Sequence, residues 1–177
     1  MAAIADWAQA IPPFVRGHEG WAAPICFILA FGESLAFVSV LLPATLVLAA
    51  VGGIVGQAGL AFLPVLAAAA VGAALGDWLS FWLGRRFGRR IAGFWPLSRH
   101  PEVLARASGW IERWGVAGVF AGRFLGPLRA TVPLVAGIAA MRPSSFQAAN
   151  WTSALLWSFA LLAPGAFGID VLRGWFA

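Results

Sequence analysis

Residues 62 to 88 read FLPVLAAAAVGAALGDWLSFWLGRRFG. From Phe62 to Leu83 the one charged side chain is Asp77, and a bilayer crossing needs about 20 consecutive apolar residues, so this segment predicts a membrane-spanning helix. Ala68, Gly72 and Gly76 stand four residues apart and form a ladder of small side chains against which a second helix can pack closely. Asp77 adjoins the ladder. It precedes Gly84, Arg85 and Arg86 by about two turns, which suits a paired or capping acid near the membrane interface.

The rest of the chain has the same character. Of 177 residues, 61% are hydrophobic and 11% charged, the mean hydropathy is +0.85, and positions 34 to 76 hold no Asp, Glu, Lys or Arg. A soluble enzyme needs a polar face on nearly every helix, so this composition excludes one and makes the bilayer the solvent. The length suffices for three or four membrane-embedded segments in a single membrane domain over 1–177. The net charge of +5 comes from a chain whose basic residues are all Arg. Arg85, Arg86, Arg89, Arg90, Arg99, Arg106 and Arg113 cluster between the apolar halves, which places residues 84 to 113 in the cytoplasm by the positive-inside rule. The basic balance therefore reports topology, and no nucleic-acid partner is expected.

Cys26 is the single cysteine, so no intramolecular disulfide or multi-cysteine metal site can form. His18 and His100 have no companions at metal-ligand spacing. No Ser–His–Asp arrangement, P-loop or dinucleotide fingerprint occurs, so neither enzymatic chemistry nor a cofactor is expected. Met1 to Gln9 carries Asp6 and no basic residue precedes Arg16, which argues against a cleavable leader.

Two halves, 1–83 and 101–177, flank a basic loop over 84–100 and follow one order. Ile4, Trp7, Ala8, Ile11 and Val15 fall at helical spacing ahead of Pro12–Pro13 and beyond, and predict a short interfacial helix. Trp21 to Leu42 is long enough to cross but holds Glu33 in its middle and meets Pro43. Val47 to Leu60 contains Gly52, Gly53, Gly56 and Gly59, which favour broken helices or close backbone approach. Together they predict a re-entrant hairpin before the span at Phe62. In the second half, Pro101 to Trp114 predicts another interfacial helix, with Val103, Leu104, Ala107, Trp110, Ile111 and Trp114 on one face. Residues 115 to 141, punctuated by Arg123, Gly126, Pro127, Arg129, Pro133 and Gly137, predict a second broken hairpin, and Ser144 to Ala166 a final span. Glu33 precedes Pro43 by ten residues, as Arg123 precedes Pro133. The fold class expected is an all-α polytopic membrane protein of two inverted repeats, each an interfacial helix, a re-entrant hairpin and a transmembrane helix.

Glu33, Asp77, Arg123 and Arg129 are the charges set in apolar sequence, each costing roughly 2.5–3.5 kcal/mol at a membrane centre. Two acids and two bases can simply neutralise one another. Arg123 and Arg129, six residues apart, would point to opposite faces of a continuous helix, but a break at Gly126–Pro127 lets both guanidiniums converge on one cavity. Planar donor forks suit a phosphate, and a lipid phosphate is the anion at hand. Burial disfavours the charged form of Glu33 and a neighbouring guanidinium favours it, so Glu33 is the candidate for proton coupling. Asn150 is a supporting polar residue or helix-to-helix glue. Trp95, Trp110, Trp114 and Trp175 suit interfacial anchors, while Trp78, Trp82, Trp151 and Trp157 are expected to pack against helices or lipid.

These residues resemble the DedA family of membrane proteins, which share the SNARE-associated or VTT domain. The resemblance is carried by Phe31-Gly32-Glu33-Ser34 with Pro43 and Gly53, by Gly72-Ala73-Ala74-Leu75-Gly76-Asp77, and by Phe81-Trp82-Leu83-Gly84-Arg85-Arg86-Phe87-Gly88. In the second half it rests on Gly122-Arg123-Phe124 with Pro127, Arg129, Pro133, Ala136-Gly137 and Met141, then Phe146, Asn150 and Trp157. It implies two inverted re-entrant hairpins and lipid movement across a bacterial inner membrane. It also implies a flippase or scramblase activity on undecaprenyl phosphate or a phospholipid, with Glu33, Arg123 and Arg129 as the functional charges. The second acid common in the family is absent here, Thr45 standing in the stretch Pro43-Ala44-Thr45, so coupling would fall to Glu33 alone or with Asp77, or be lost. A proton-coupled carrier of small ions or drugs and a non-transporting envelope scaffold are the other functions compatible with the sequence.

Overall fold

The structure, a computed structural model, describes residues 19–35, 44–88, 90, 101–125 and 129–176. The interfacial helix expected over Ile4 to Val15, Pro43, the core of the basic loop and the Gly126–Pro127 break lie outside these residues. After a 3-10 turn at Glu19–Trp21, six helices follow: α1 (Ala22–Ser34), α2 (Ala44–Ala58), α3 (Phe62–Phe87), α4 (Pro101–Gly122), α5 (Thr131–Ile138) and α6 (Pro143–Phe176). The described residues are helices and turns alone.

Length divides these helices into two kinds. At 13, 15 and 8 residues, α1, α2 and α5 extend about 20, 22 and 12 Å, less than the roughly 30 Å of hydrocarbon in a bilayer. At 26 and 34 residues, α3 and α6 extend about 39 and 51 Å. Among the described residues, α3 is the helix both long and apolar enough to cross, with a hydropathy of 1.7. The expected span at Ser144 to Ala166 lies inside α6, where Gln147, Asn150, Thr152, Ser153 and Ser158 interrupt the apolar sequence.

Helix boundaries correct two expectations. The loop expected from residue 84 begins later, because Gly84 to Phe87 form the last turn of α3. The glycine-rich stretch before Leu60 is one regular helix that ends at Gly59 with φ +66°. Its glycines serve close approach: a Cβ on Gly52 or Gly56 would lie 2.5 Å from the carbonyl oxygen of Leu162 or Ala166 on α6. The helix expected at Pro101 to Trp114 does end as expected, at Gly115, whose φ of 51° and ψ of −125° break α4.

The small-residue ladder works as the spacing predicts. A Cβ on Gly72 or Gly76 would meet the carbonyl oxygen of Phe27 or Phe31 on α1, at 2.4 and 2.6 Å. Further along, Gly84 of α3 and Gly137 of α5 abut each other's helix, with Cβ positions 2.0 Å from Leu134 O and 2.1 Å from Phe81 O. The packing is thus reciprocal. α1 lies on α3 and α4 on α6, while α2 lies on α6 and α5 on α3.

α3 and α6 run antiparallel, because Phe62 meets Phe159 and Phe167 whereas Phe81 stacks on Phe146 at 4.1 Å between centroids. They traverse two apolar clusters in opposite order. Ala69, Ala73, Ala74, Trp157 and Leu162 belong to the first and Phe81, Phe146 and Ala149 to the second. Asp77 on α3, and Asn150 and Ser153 on α6, fall between them. Charged and polar groups are buried among these clusters while large apolar side chains face outward: Glu33, Asp77, Arg123, Asn150 and Ser153 are buried, and Leu63, Trp78, Trp82, Leu155 and Phe159 are exposed. Water would not tolerate so large an apolar exterior, and lipid does.

Candidate functional site

The buried charges meet between the two clusters. Arg123, directly after the last residue of α4, has three neighbours. Its Nη2 is ion-paired with Asp77 Oδ2 and donates to Asn150 Oδ1 at 2.7 Å, while Nε donates to Ser153 Oγ at 3.0 Å. Asn150 is fixed in turn, its Nδ2 donating to Ala74 O at 2.9 Å and Gln147 Oε1 at 3.2 Å. The Ser153 hydroxyl donates to Asn150 O at 3.1 Å. A buried guanidinium survives in an apolar layer only when its donors are satisfied this way.

Arg129 is held differently. Its Nη2 is ion-paired with Glu33 Oε1, and its Cζ lies 4.9 Å from the centroid of the Trp157 ring. Its side chain is 14% exposed, against 6% for Arg123. Both partners of this second pair stand at helix ends of unfavourable sign. Glu33 is the penultimate residue of α1, near the partially negative carbonyl end, and Arg129 stands two residues before α5, near a partially positive N–H end. Arg123, by contrast, is a cation at a helix C-terminus, where the dipole favours it.

Arg123, Arg129, Asp77, Ser34 and Trp157 line one cavity. The convergence of the two guanidiniums expected from the sequence is therefore present, and Glu33, Asp77 and Asn150 all belong to the same cluster. Asp77 is buried and paired with Arg123, one of the two roles expected of it. One expectation is corrected. The cavity measures about 10 Å³, room for about one water molecule, and each guanidinium is neutralised by its own carboxylate. Among the described residues the mutual pairing of acids and bases holds, and the space between them is smaller than a phosphate.

Sequence reasoning missed Trp157, Ser153 and Gln147 as members of the cluster. The signal was present, since Asn150, Ser153 and Trp157 recur at three- and four-residue spacing on one helical face. A larger cavity of about 300 Å³ lies elsewhere, between the amphipathic part of α4 and α5, against Leu104, Ile111, Glu112, Val135 and Ile138. It holds none of the four buried charges.

The VTT domain matches residues 42–167. The chain is 34% identical over 150 residues to inner membrane protein YabI of Escherichia coli K12, covering 83% of this chain and 59% of that protein. To inner membrane protein YghB of the same strain it is 33% identical over 135 residues, covering 75% and 61%. A membrane protein of Buchnera aphidicola subsp. Baizongia pistaciae is 29% identical over 154 residues, covering 87% and 60%. The chain thus spans about three-fifths of the length of these curated relatives. No solved structure matches it significantly.

Proposed function

This chain belongs to the DedA family of VTT-domain membrane proteins, and on that premise we propose that it moves a phosphate-bearing lipid across the bacterial inner membrane. Undecaprenyl phosphate is the leading substrate and a phospholipid the next. The observation that carries the proposal is the meeting of Glu33, Asp77, Arg123 and Arg129 at one buried point, drawn from the ends of α1, α4 and α5 and from the middle of α3. The short α1–α2 and α4–α5 pairs, reciprocal packing and antiparallel α3 and α6 support two inverted repeats with re-entrant hairpins. The inner-membrane names of the relatives support the location.

The conformation described is then the closed, self-neutralised one. A phosphate entering the cluster displaces a carboxylate from its guanidinium, and the displaced carboxylate, left in an apolar layer, takes up a proton. Glu33 is the acid in this exchange, which couples lipid movement to protons. Purified protein in liposomes should move a lipid with a phosphate headgroup and leave a neutral lipid of equal chain length in place. Equal movement of both would refute a phosphate site.

The complete pairing of the four charges favours a second function, a non-transporting scaffold in which they serve only to hold the helices. In that case Arg129→Ala loses fold and function together. In a transporter the variant stays folded and loses flux.

A further inference from the structure

The two guanidiniums differ in how they are held, and the difference assigns them different tasks. Arg123 commits three of its five N–H directions to Asp77, Asn150 and Ser153, and two of these partners are themselves tied to α3 and α6. It cannot turn toward a ligand without breaking a network that joins three helices. Arg129 is ion-paired with a carboxylate set at an unfavourable helix end, is the more exposed of the two at 14% against 6%, and has its guanidinium carbon 4.9 Å from the centroid of the Trp157 ring.

A cation–π attraction acts on the charge and requires none of the N–H donors, so an Arg held by a ring keeps donors for an oxyanion. Trp157 is 5% exposed, belongs to the first apolar cluster and lines the cavity beside both arginines. A ring fixed in that way holds the cation where it is while the acid opposite it is exchanged.

Resting on the phosphate-lipid function above, we propose that Trp157 is the positioning residue that keeps Arg129 in the site when Glu33 releases it, so that Arg129, and not Arg123, takes the lipid phosphate. Arg123 with Asp77, Asn150 and Ser153 is the fixed wall against which this exchange occurs. Glu33 and the phosphate take the same guanidinium in turn, while the Trp157 ring holds the cation through both states, and the site has one exchangeable acid, not two.

The test is equilibrium binding of n-decyl phosphate to the full chain in lipid nanodiscs, with empty nanodiscs subtracted. Wild type is compared with Trp157→Phe, Trp157→Leu and a chain carrying tetrafluorotryptophan at position 157 alone. The fluorinated ring keeps shape and packing while losing the negative face. Trp157→Leu and the fluorinated chain should bind about 10- to 30-fold more weakly, and Trp157→Phe should recover most of the loss. Wild-type affinity in the fluorinated chain would overturn the role of Trp157 and leave the phosphate site standing. No specific binding by the wild type would overturn both. Should the Leu variant fail to fold, the fluorinated chain, which preserves the packing, decides alone.

Discussion

Glu33→Gln isolates the pair that the proposed mechanism opens. The substitution keeps the side chain's shape at the end of α1, where Glu33 is 3% exposed, and leaves Arg129 as a buried cation. Removing one partner of a buried pair costs about 3–5 kcal/mol. Against this, losing a negative charge at the carbonyl end of α1 returns about 0.3–1 kcal/mol, so the net loss expected is about 2–5 kcal/mol. Reversible unfolding of the protein in mixed micelles measures it. Glu33→Gln/Arg129→Gln, which removes both charges, should restore most of the stability, because replacing a whole buried pair by neutral groups is often close to neutral. The same double-mutant cycle gives the coupling energy between the two side chains. A single-mutant loss below about 1 kcal/mol, with no recovery in the double variant, would refute the claim that Glu33 and Arg129 hold each other in an apolar layer.

Asp77→Asn should cost about 3–5 kcal/mol, measured in the same unfolding assay, since Arg123 would keep Asn150 and Ser153 but lose its charged partner. Gly137→Ala forces a Cβ to within 2.1 Å of Phe81 O, so α3 and α5 must separate; chemical crosslinking of cysteines placed on the two helices should fall with stability. Gly53→Ala meets nothing within 4 Å inside α2 and should raise stability by about 0.5–1 kcal/mol through helix propensity. Ala140, with φ +55° in the exposed turn between α5 and α6, should become about 1 kcal/mol more favourable as glycine, read as a higher melting temperature.

Much of the fold follows from spacing that hydropathy and steric size impose directly. The crossing at Phe62, the ladder of Gly72 and Gly76 and the break after Trp114 each rest on a local property: apolar length, absence of a Cβ, or a glycine after an amphipathic stretch. The regularity of α2 was not legible, because glycine permits both a broken helix and a close contact, and only the approach of α6 decides between them. The same holds at the site. That Glu33, Asp77, Arg123 and Arg129 need partners follows from the cost of burying charge, but which acid meets which base is set by the reciprocal packing of helices distant in sequence. Trp157 reads as one more aromatic in an apolar helix until Arg129 is placed over it. The closed state of the cavity, likewise, depends on side-chain contacts that no spacing encodes.

Headgroup translocation by purified protein in liposomes, with and without a pH gradient, tests the central claim most directly. Wild type should move undecaprenyl phosphate faster when a gradient is imposed, Arg129→Ala should remain folded and inactive, and Glu33→Gln should lose the response to the gradient. Wild-type flux from a folded Arg129→Ala protein would contradict the account.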